Sequence, residues 1–445
     1  MTMRFAEWIT TLPNDNLPHE VIARATDCIL DIIGCSLVGF NAPGTTSARA
    51  AAELNFRGGD APVYFSDRSM GATGAAFANS AAASMLDLDD GHRLAMGHPG
   101  AAVVPVALAI ASEIGASNAE LLAAIVIGYE ISVRLGAGEI RKSHHTGNWT
   151  TFGAVATAAR LRGLNKEQIA HALAIAAYHG PRLRSLTESA EMGSHVKESI
   201  PWSVVTGMIA TDLARAGFTG SRDALDLPDR FDSKVALDGL GTEFHINGVY
   251  FKRFSTCRWT HTSVDGLMQL MQERQVSANE IQAIEVMTFR EAVSLNNRAS
   301  PPSLESAQYS LPFSLGVAAT LGHDHLSPMT VDVLHHKAAV ELARKVKVIH
   351  STEMDSYLPL RTPARVRVCA RGEWVEKLVI DAWGDSGSST ARADLRAKFQ
   401  SLASKTLNPP AIEAIIAAVG EVHLRGVRPL NQALTNPEVL NEAWR

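Results

Sequence analysis

Four stretches of this sequence crowd charged and imidazole side chains into otherwise apolar surroundings. The first is Leu86–Gly100, which holds Asp87, Asp89, Asp90, His92 and His98 just after a run of small residues. Carboxylates at the C-terminal end of a helix oppose the helix dipole. Stability therefore gives little reason for the cluster, although Asp89 or Asp90 alone could simply cap a turn. His98-Pro99 precedes a long apolar helix whose first N–H groups can hold an anion. The second stretch, His144–Gly153, sets an imidazole pair in a Gly/Thr loop before an Ala-rich helix. An imidazole titrates near neutrality, which suits proton transfer, but a single histidine is more often structural. The third, Gly193–Glu198, puts Lys197 before an apolar helix, where it can bind a carboxylate, serve as a base or merely be solvated. The fourth, Phe251–His261, gathers Lys252, Arg253, Arg258 and His261 beside Phe, Cys and Trp. An arginine fork matches a carboxylate, so this is the expected anion site.

The elements around these stretches change style along the chain. Up to about residue 260 one helical pattern follows another: 20–40, a small-residue segment at 73–88, two apolar helices between 101 and 135, then 153–163, 166–178 and 202–217. Ile281–Arg290 alternates as a strand does. Residues 364–383 alternate again around Arg371-Gly372, which predicts a hairpin. Helical patterns recur at 263–275, 330–345 and 390–425. The pattern predicts a mainly α protein. A large all-helical domain, 1–262 and 402–445, is interrupted by a smaller α+β domain, 263–401.

Composition narrows the function. The chain has 445 residues, 46% hydrophobic and 20% charged, with a net charge of −5. It has no basic tract and no basic-aromatic stripe, so no nucleic-acid partner is expected. No apolar run reaches the ~18 residues of a membrane span, the longest candidate lying around Val103–Ile114, and the N-terminus lacks a signal-peptide core. A cytoplasmic protein is expected. Cys28, Cys35, Cys257 and Cys369 form no CxxC pair, and Cys28 and Cys35 read as buried small hydrophobes. No HExxH, GxSxG, P-loop or GxGxxG pattern occurs, so no nucleotide cofactor is expected. A metal site built from Asp87, Asp90 and His98 is the remaining alternative.

Taken in order, these stretches resemble the MmgE/PrpD family, which includes 2-methylcitrate dehydratase, cis-aconitate decarboxylase and iminodisuccinate epimerase. LDLDDGHRLAMGHPGAAVVPVALAIA is similar to the family's DxDD…HP signature, and HHTGNWTTFGA to its HxTG…FGA stretch. TCRWTHTSVDGLM is similar to its SCR…HxxxDA segment, and SAQYSLPFSLGVA to its FSxxYxxA segment. The resemblance runs from the ILDIIGCSLVG helix to Lys398-Phe399. It implies a helical domain with an α+β lid, a cleft active site, a homodimer and no cofactor or metal. It also implies that Asp87, His98, His144, Lys197 and His261 line the catalytic pocket. Lys252, Arg258, Asp90 and Tyr309 are then expected to bind substrate.

The sequence departs from the family pattern at three places. Gly91 stands where a threonine is usual, Glu198-Ser-Ile-Pro201 replaces a basic residue and glycine, and Phe313 replaces a late tyrosine. These departures argue against cis-aconitate itself as the substrate. The expected reaction is acid–base chemistry on a small di- or tricarboxylate, at the carbon beside a carboxylate. Dehydration of the 2-methylcitrate type leads, with epimerisation or decarboxylation as alternatives. A non-catalytic carboxylate-binding protein is the remote alternative. All three reactions pass through a carbanion-like state that cations stabilise.

Overall fold

A computed structural model describes residues 1–140, 145–181, 193–385 and 392–435. The helical part is built as the periodicity predicts. His19–Gly39, Ala72–Ser84, Gly100–Ile114, Asn118–Gly138, Gly147–Leu161, Lys166–His179 and Ile200–Arg215 are its principal helices. Ala72–Ser84 is buried on every face. Its alanines, serines and glycine let neighbouring helices approach closely, and a Cβ at Gly39 would meet the Ala82 carbonyl oxygen at 2.0 Å. Ser117 and Glu120 form a reciprocal cap that starts Asn118–Gly138. That helix is long and apolar enough to cross a membrane by length and composition, although Glu120, Glu130 and Arg134 interrupt its apolar run. In the fold, 94% of its most apolar window is buried inside the protein.

The α+β part carries a four-stranded mixed sheet. Its order is Val346–His350, Ile281–Thr288, Ala364–Ala370, Glu373–Val379. Ala364–Ala370 and Glu373–Val379 are the predicted hairpin, in antiparallel register. Val366 and Val368 turn inward, against Val264, Leu267, Ile284 and Val286. One expectation is corrected here. Residues 330–345 are not one helix: Val331–His335 is a 3-10 turn, and only Lys337–Ala343 is α-helical. The following Val346–His350 pairs parallel to Ile281–Thr288. Its partly exposed, polar-interrupted edge gave the sequence too weak an alternation to see. In Arg392–Ala403, Leu395, Phe399 and Ala403 pack into the same core as Ile29, Ile33 and Leu37 of His19–Gly39. The chain has therefore rejoined the helical core before residue 402.

A two-residue ladder places the chemistry. Gly91–His92 pairs antiparallel with Val249–Tyr250, Gly91 opposite Tyr250. This brings the aspartate-rich turn beside the Lys252–His261 segment.

Candidate active site

The centre of the site is Asp87. It follows the small-residue helix and adopts a left-handed conformation, φ 52°. That region is costly for a non-glycine residue and is stored where surrounding structure over-determines it. The turn aims the carboxylate inward. Lys252 Nζ lies 3.1 Å from one oxygen. Lys197 Nζ and His98 Nε2 lie 3.9 and 3.4 Å from the other. All four side chains are buried. Burial by itself would raise the Asp87 pKa, but Lys252, Lys197 and His98 outweigh it and hold the carboxyl at about 2. Asp87 is therefore a fixed anion rather than a proton donor near neutral pH.

His98 is the group poised to carry a proton. Nδ1 lies 2.8 Å from the Asp90 carbonyl oxygen and is therefore the donor, and 3.6 Å from Asp89 Oδ2. Burial disfavours the imidazolium, yet the carboxylates of Asp89, Asp87 and Glu198 prevail over burial and Lys252, and raise its pKa above the ordinary value. Burial lifts the Asp89 carboxyl as well.

Lys197, Glu198 and Ser199 are three successive non-glycine residues at positive φ, 44°, 54° and 60°. This strained stretch ends where the helix Ile200–Arg215 begins. It turns Lys197 toward Asp87, while Glu198 accepts hydrogen bonds from the Thr146 hydroxyl and N–H. Lys197 Nζ donates to Gln308 Oε1 at 2.7 Å and stands 5.4 Å from the centre of the Tyr309 ring.

A cavity of about 210 Å³ opens over this group. Asp87, His98, Glu198, Tyr309, Arg93 and Tyr250 are among its lining residues. The volume suits a small metabolite better than a drug-sized ligand, whose sites run from about 300 Å³. Cys257 also lines it, but burial, with Asp87 adding to it, pushes that thiol up to about 12, so it is no nucleophile.

Not every expected site residue reaches the cavity. Asp90 does not: Gly100 N–H donates to one oxygen at 2.9 Å and the Tyr129 hydroxyl to the other at 2.5 Å. It is fully buried and holds the start of Gly100–Ile114, away from the residues that line the cavity. His261 lies behind Arg258. Its Nε2 faces the Thr256 carbonyl oxygen at 3.3 Å and its ring packs on Phe254. Burial, with Arg258 and Lys252 adding to it, drives its pKa well below the ordinary value. It is not among the residues that line the cavity. Arg258 lines the cavity with both Nη groups already engaged, while its Nε has no hydrogen-bond partner. Nη2 pairs with Asp385 at 2.8 Å, and Nη1 donates to the carbonyls of Phe251 and Trp383 at 3.1 and 2.9 Å. His144 lies outside the described residues.

Sequence reasoning missed Arg93, Tyr250, Gln308 and Asp385. Arg93 Nη2 donates to Asp385 at 2.6 Å, so one carboxylate holds two arginines at the cavity wall. The Tyr250 ring faces both guanidiniums, at 4.9 Å from Arg93 and 4.8 Å from Arg258. Its phenol fills the space above Gly91, where an added Cβ would lie 2.3 Å from the Tyr250 oxygen. The absence of a side chain at position 91 and the tyrosine at 250 are thus one feature. The Gly91 departure was the signal that could have pointed to it.

Asp87, Asp89 and His98 also place ligand atoms within 4.8 Å of one another, close enough to hold a metal ion. Asp90 is not in that set. Two ammonium groups already face Asp87, and a cation there would compete with them. The chemistry of the set is better matched to proton transfer than to a divalent ion.

Residues 3–239 match the model of the MmgE/PrpD N-terminal domain, and residues 254–423 that of the MmgE/PrpD C-terminal domain. The chain is 27% identical to a cis-aconitate decarboxylase of Mus musculus, over 100% of this chain and 95% of the relative. It is 25% identical to a cis-aconitate decarboxylase of Aspergillus terreus, over 83% of this chain and 82% of the relative. A cis-aconitate decarboxylase-like protein oryM of Aspergillus oryzae is 23% identical over 93% of each. With both domain models matched in order across most of its length, the chain is an enzyme of the MmgE/PrpD family.

Proposed function

We propose that this enzyme is a lyase that works at the carbon beside a carboxylate of a small di- or tricarboxylate, with no resident cofactor. The observation that carries the reading is the buried His98–Asp87–Lys252 group at the cavity. His98 is the proton donor. Asp87 and Asp89 keep its ring oriented and charged. Lys197, with Lys252 behind Asp87, supplies the positive field for a substrate carboxylate and for the carbanion-like state. Arg93 and Arg258 shape the opposite wall, where the ring and hydroxyl of Tyr250 replace the hydroxyl that Gly91 removes.

Decarboxylation is the first reading. It needs one acid to protonate the carbanion, which His98 provides, and the named relatives are cis-aconitate decarboxylases. Dehydration is the second, because Glu198 brings a further carboxylate to the cavity wall as a base for the C–H proton, with His98 to protonate the departing hydroxyl so that it leaves as water. We also infer a homodimer. The helices within 101–135 and 153–178 are largely covered inside the chain, Ile114 and Tyr178 apart, so most of the apolar surface that supports pairing lies elsewhere. Trp202 and Ile209, seven residues apart on Ile200–Arg215, expose 56% and 41% of their surface. Light scattering on the purified protein tests that point.

The reaction is tested by following proton NMR in D2O with cis-aconitate, citrate, 2-methylcitrate, itaconate, malate and iminodisuccinate. Deuterium entering beside a carboxylate with release of carbon dioxide supports decarboxylation. Release or addition of water supports dehydration, and exchange alone an epimerase. No exchange with any of the six, despite bound ligand, overturns the lyase reading.

A further inference from the structure

Asp87 is a strained residue held in place from outside its own helix. The carbonyls on either side of it are both taken by buried side chains from the second half of the chain. Before it, Met85 O accepts a hydrogen bond from Gln308 Nε2 at 3.2 Å. After it, Leu88 O accepts one from Lys398 Nζ at 3.1 Å. Neither contact is a surface accident: Gln308 is 1% exposed and Lys398 is 9% exposed. Both donors are themselves fixed. Gln308 uses its amide oxygen to accept from Lys197, which defines which end of the amide faces Met85. Its backbone carbonyl accepts from Cys257 N–H at 2.7 Å. Lys398 is paired with Asp31 at 2.6 Å on the helix His19–Gly39. A buried lysine leaves water only where its charge and its protons are satisfied, and Asp31 and Leu88 O do that here.

We propose that Gln308 and Lys398 are positioning residues that clamp the Asp87 turn at its two ends and so set the place of Asp87 against His98, Lys197 and Lys252. The inference rests on the reading of Asp87 and His98 as the working pair, and adds the residues that hold them. A turn at φ 52° with neither neighbouring carbonyl anchored would relax toward ordinary backbone. The Asp87 carboxylate would then swing away from the His98 ring. Gln308 couples two parts of the site, because the same amide that holds Met85 O holds Lys197 near Asp87. Gln308 ties the turn to the α+β part of the chain, whereas Lys398 stands on a helix packed in the helical core.

The test uses the full-length protein without substrate first. The ring nitrogens of His98, identified by their loss in His98→Asn, are followed by NMR in Gln308→Leu and Lys398→Met. The groups facing His98 are Asp87, Asp89, Glu198 and Lys252. Loss of the clamp is expected to shift the His98 signals and to lower its titration midpoint, as the Asp87 charge withdraws. Lys398→Arg, which keeps a donor, is expected to restore the wild-type signals. Gln308→Glu keeps an acceptor for Lys197 but loses the donor to Met85 O, so it is expected to shift the signals too. In turnover, each clamp variant should lose about 10²-fold in kcat with a much smaller change in KM, the sign of misplacement rather than lost binding. If Gln308→Leu or Lys398→Met does not fold, Gln308→Glu and Lys398→Arg carry the test. Unchanged His98 signals in the folded clamp variants overturn the proposal. Shifted signals in a protein inactive on every polycarboxylate keep the clamp and remove the proposed reaction.

Discussion

Lys252 Nζ and Asp87 Oδ2 are 3.1 Å apart, and neither side chain has meaningful access to water. Removing one partner of such a pair strands the other. Lys252→Met is expected to cost about 3–5 kcal/mol, less whatever Lys197 compensates. Asp87→Asn leaves two ammonium groups facing no anion and is expected to destabilise as well. The double variant should recover part of the loss. Thermal unfolding of the four proteins measures the coupling, and strictly additive losses would show that the two groups do not interact.

His98→Asn is expected to reduce turnover about 10²-fold or more while substrate binding changes little. Near-normal kcat would remove His98 from the role of proton donor. The pH profile gives a second check. His98 acts as an acid, so activity is present below its raised pKa and lost as pH climbs through it. Asp89→Asn removes one of the charges that raise that pKa. The alkaline limb of the profile should therefore move to lower pH in that variant.

Asp90 gives a prediction about stability. Its carboxyl is pushed up to about 7, first by burial and then by Asp31. An unfolded chain gives up this proton near pH 4, at about the ordinary carboxylate value of 3.9. The folded state keeps the proton until about 7, so the site favours folding at low pH and that advantage declines as pH rises through this interval. Asp90→Asn abolishes the decline while keeping an acceptor for Gly100 N–H. The difference in melting temperature between variant and wild type should shift in favour of the variant from pH 4 to pH 8. A difference that stays flat across that range would mean that Asp90 does not titrate there.

Gly91 and Tyr250 should be energetically coupled. A Cβ at position 91 would lie 2.3 Å from the phenol oxygen and 2.4 Å from the adjoining ring carbon. Gly91→Ala is expected to cost about 1–3 kcal/mol, as overpacking does. The same change in a Tyr250→Val background should cost less than half as much. Equal costs in both backgrounds, by denaturant unfolding, would put the constraint on the backbone instead.

A chelator should leave turnover intact, because Lys252 and Lys197 already balance the Asp87 charge. Loss of activity that one divalent ion restores would instead assign Asp87, Asp89 and His98 as its ligands.

Much of this was legible before any coordinates. The helices at 20–40 and 101–135 announce themselves by dense apolar periodicity, and the 364–379 hairpin by alternation around Arg371-Gly372. Asp87 and His98 stood out because charge in an apolar setting, at the wrong end of a helix, has no stabilising use. Val346–His350 did not stand out, because a short edge strand is half solvated and its pattern is weak. Gln308 did not either: an amide in a small-residue segment looks unremarkable until its two partners are known.

The sequence by itself determined the helical core, three of the sheet's four strands, the family and the short list of groups able to move a proton. It could not say which of those groups face the substrate. That was decided by contacts between residues far apart in the chain: Arg93 with Asp385 across 292 positions, Gln308 with Met85 across 223, Lys197 with Gln308 across 111. The physical reason is that a buried charge is defined by what surrounds it. Arg258 reads as an open carboxylate fork until Asp385 pairs with it, and Asp90 reads as a substrate-binding group until Gly100 and Tyr129 are seen on its two oxygens. Residue type sets what chemistry a group can do, and only the tertiary neighbours set whether it is free to do it.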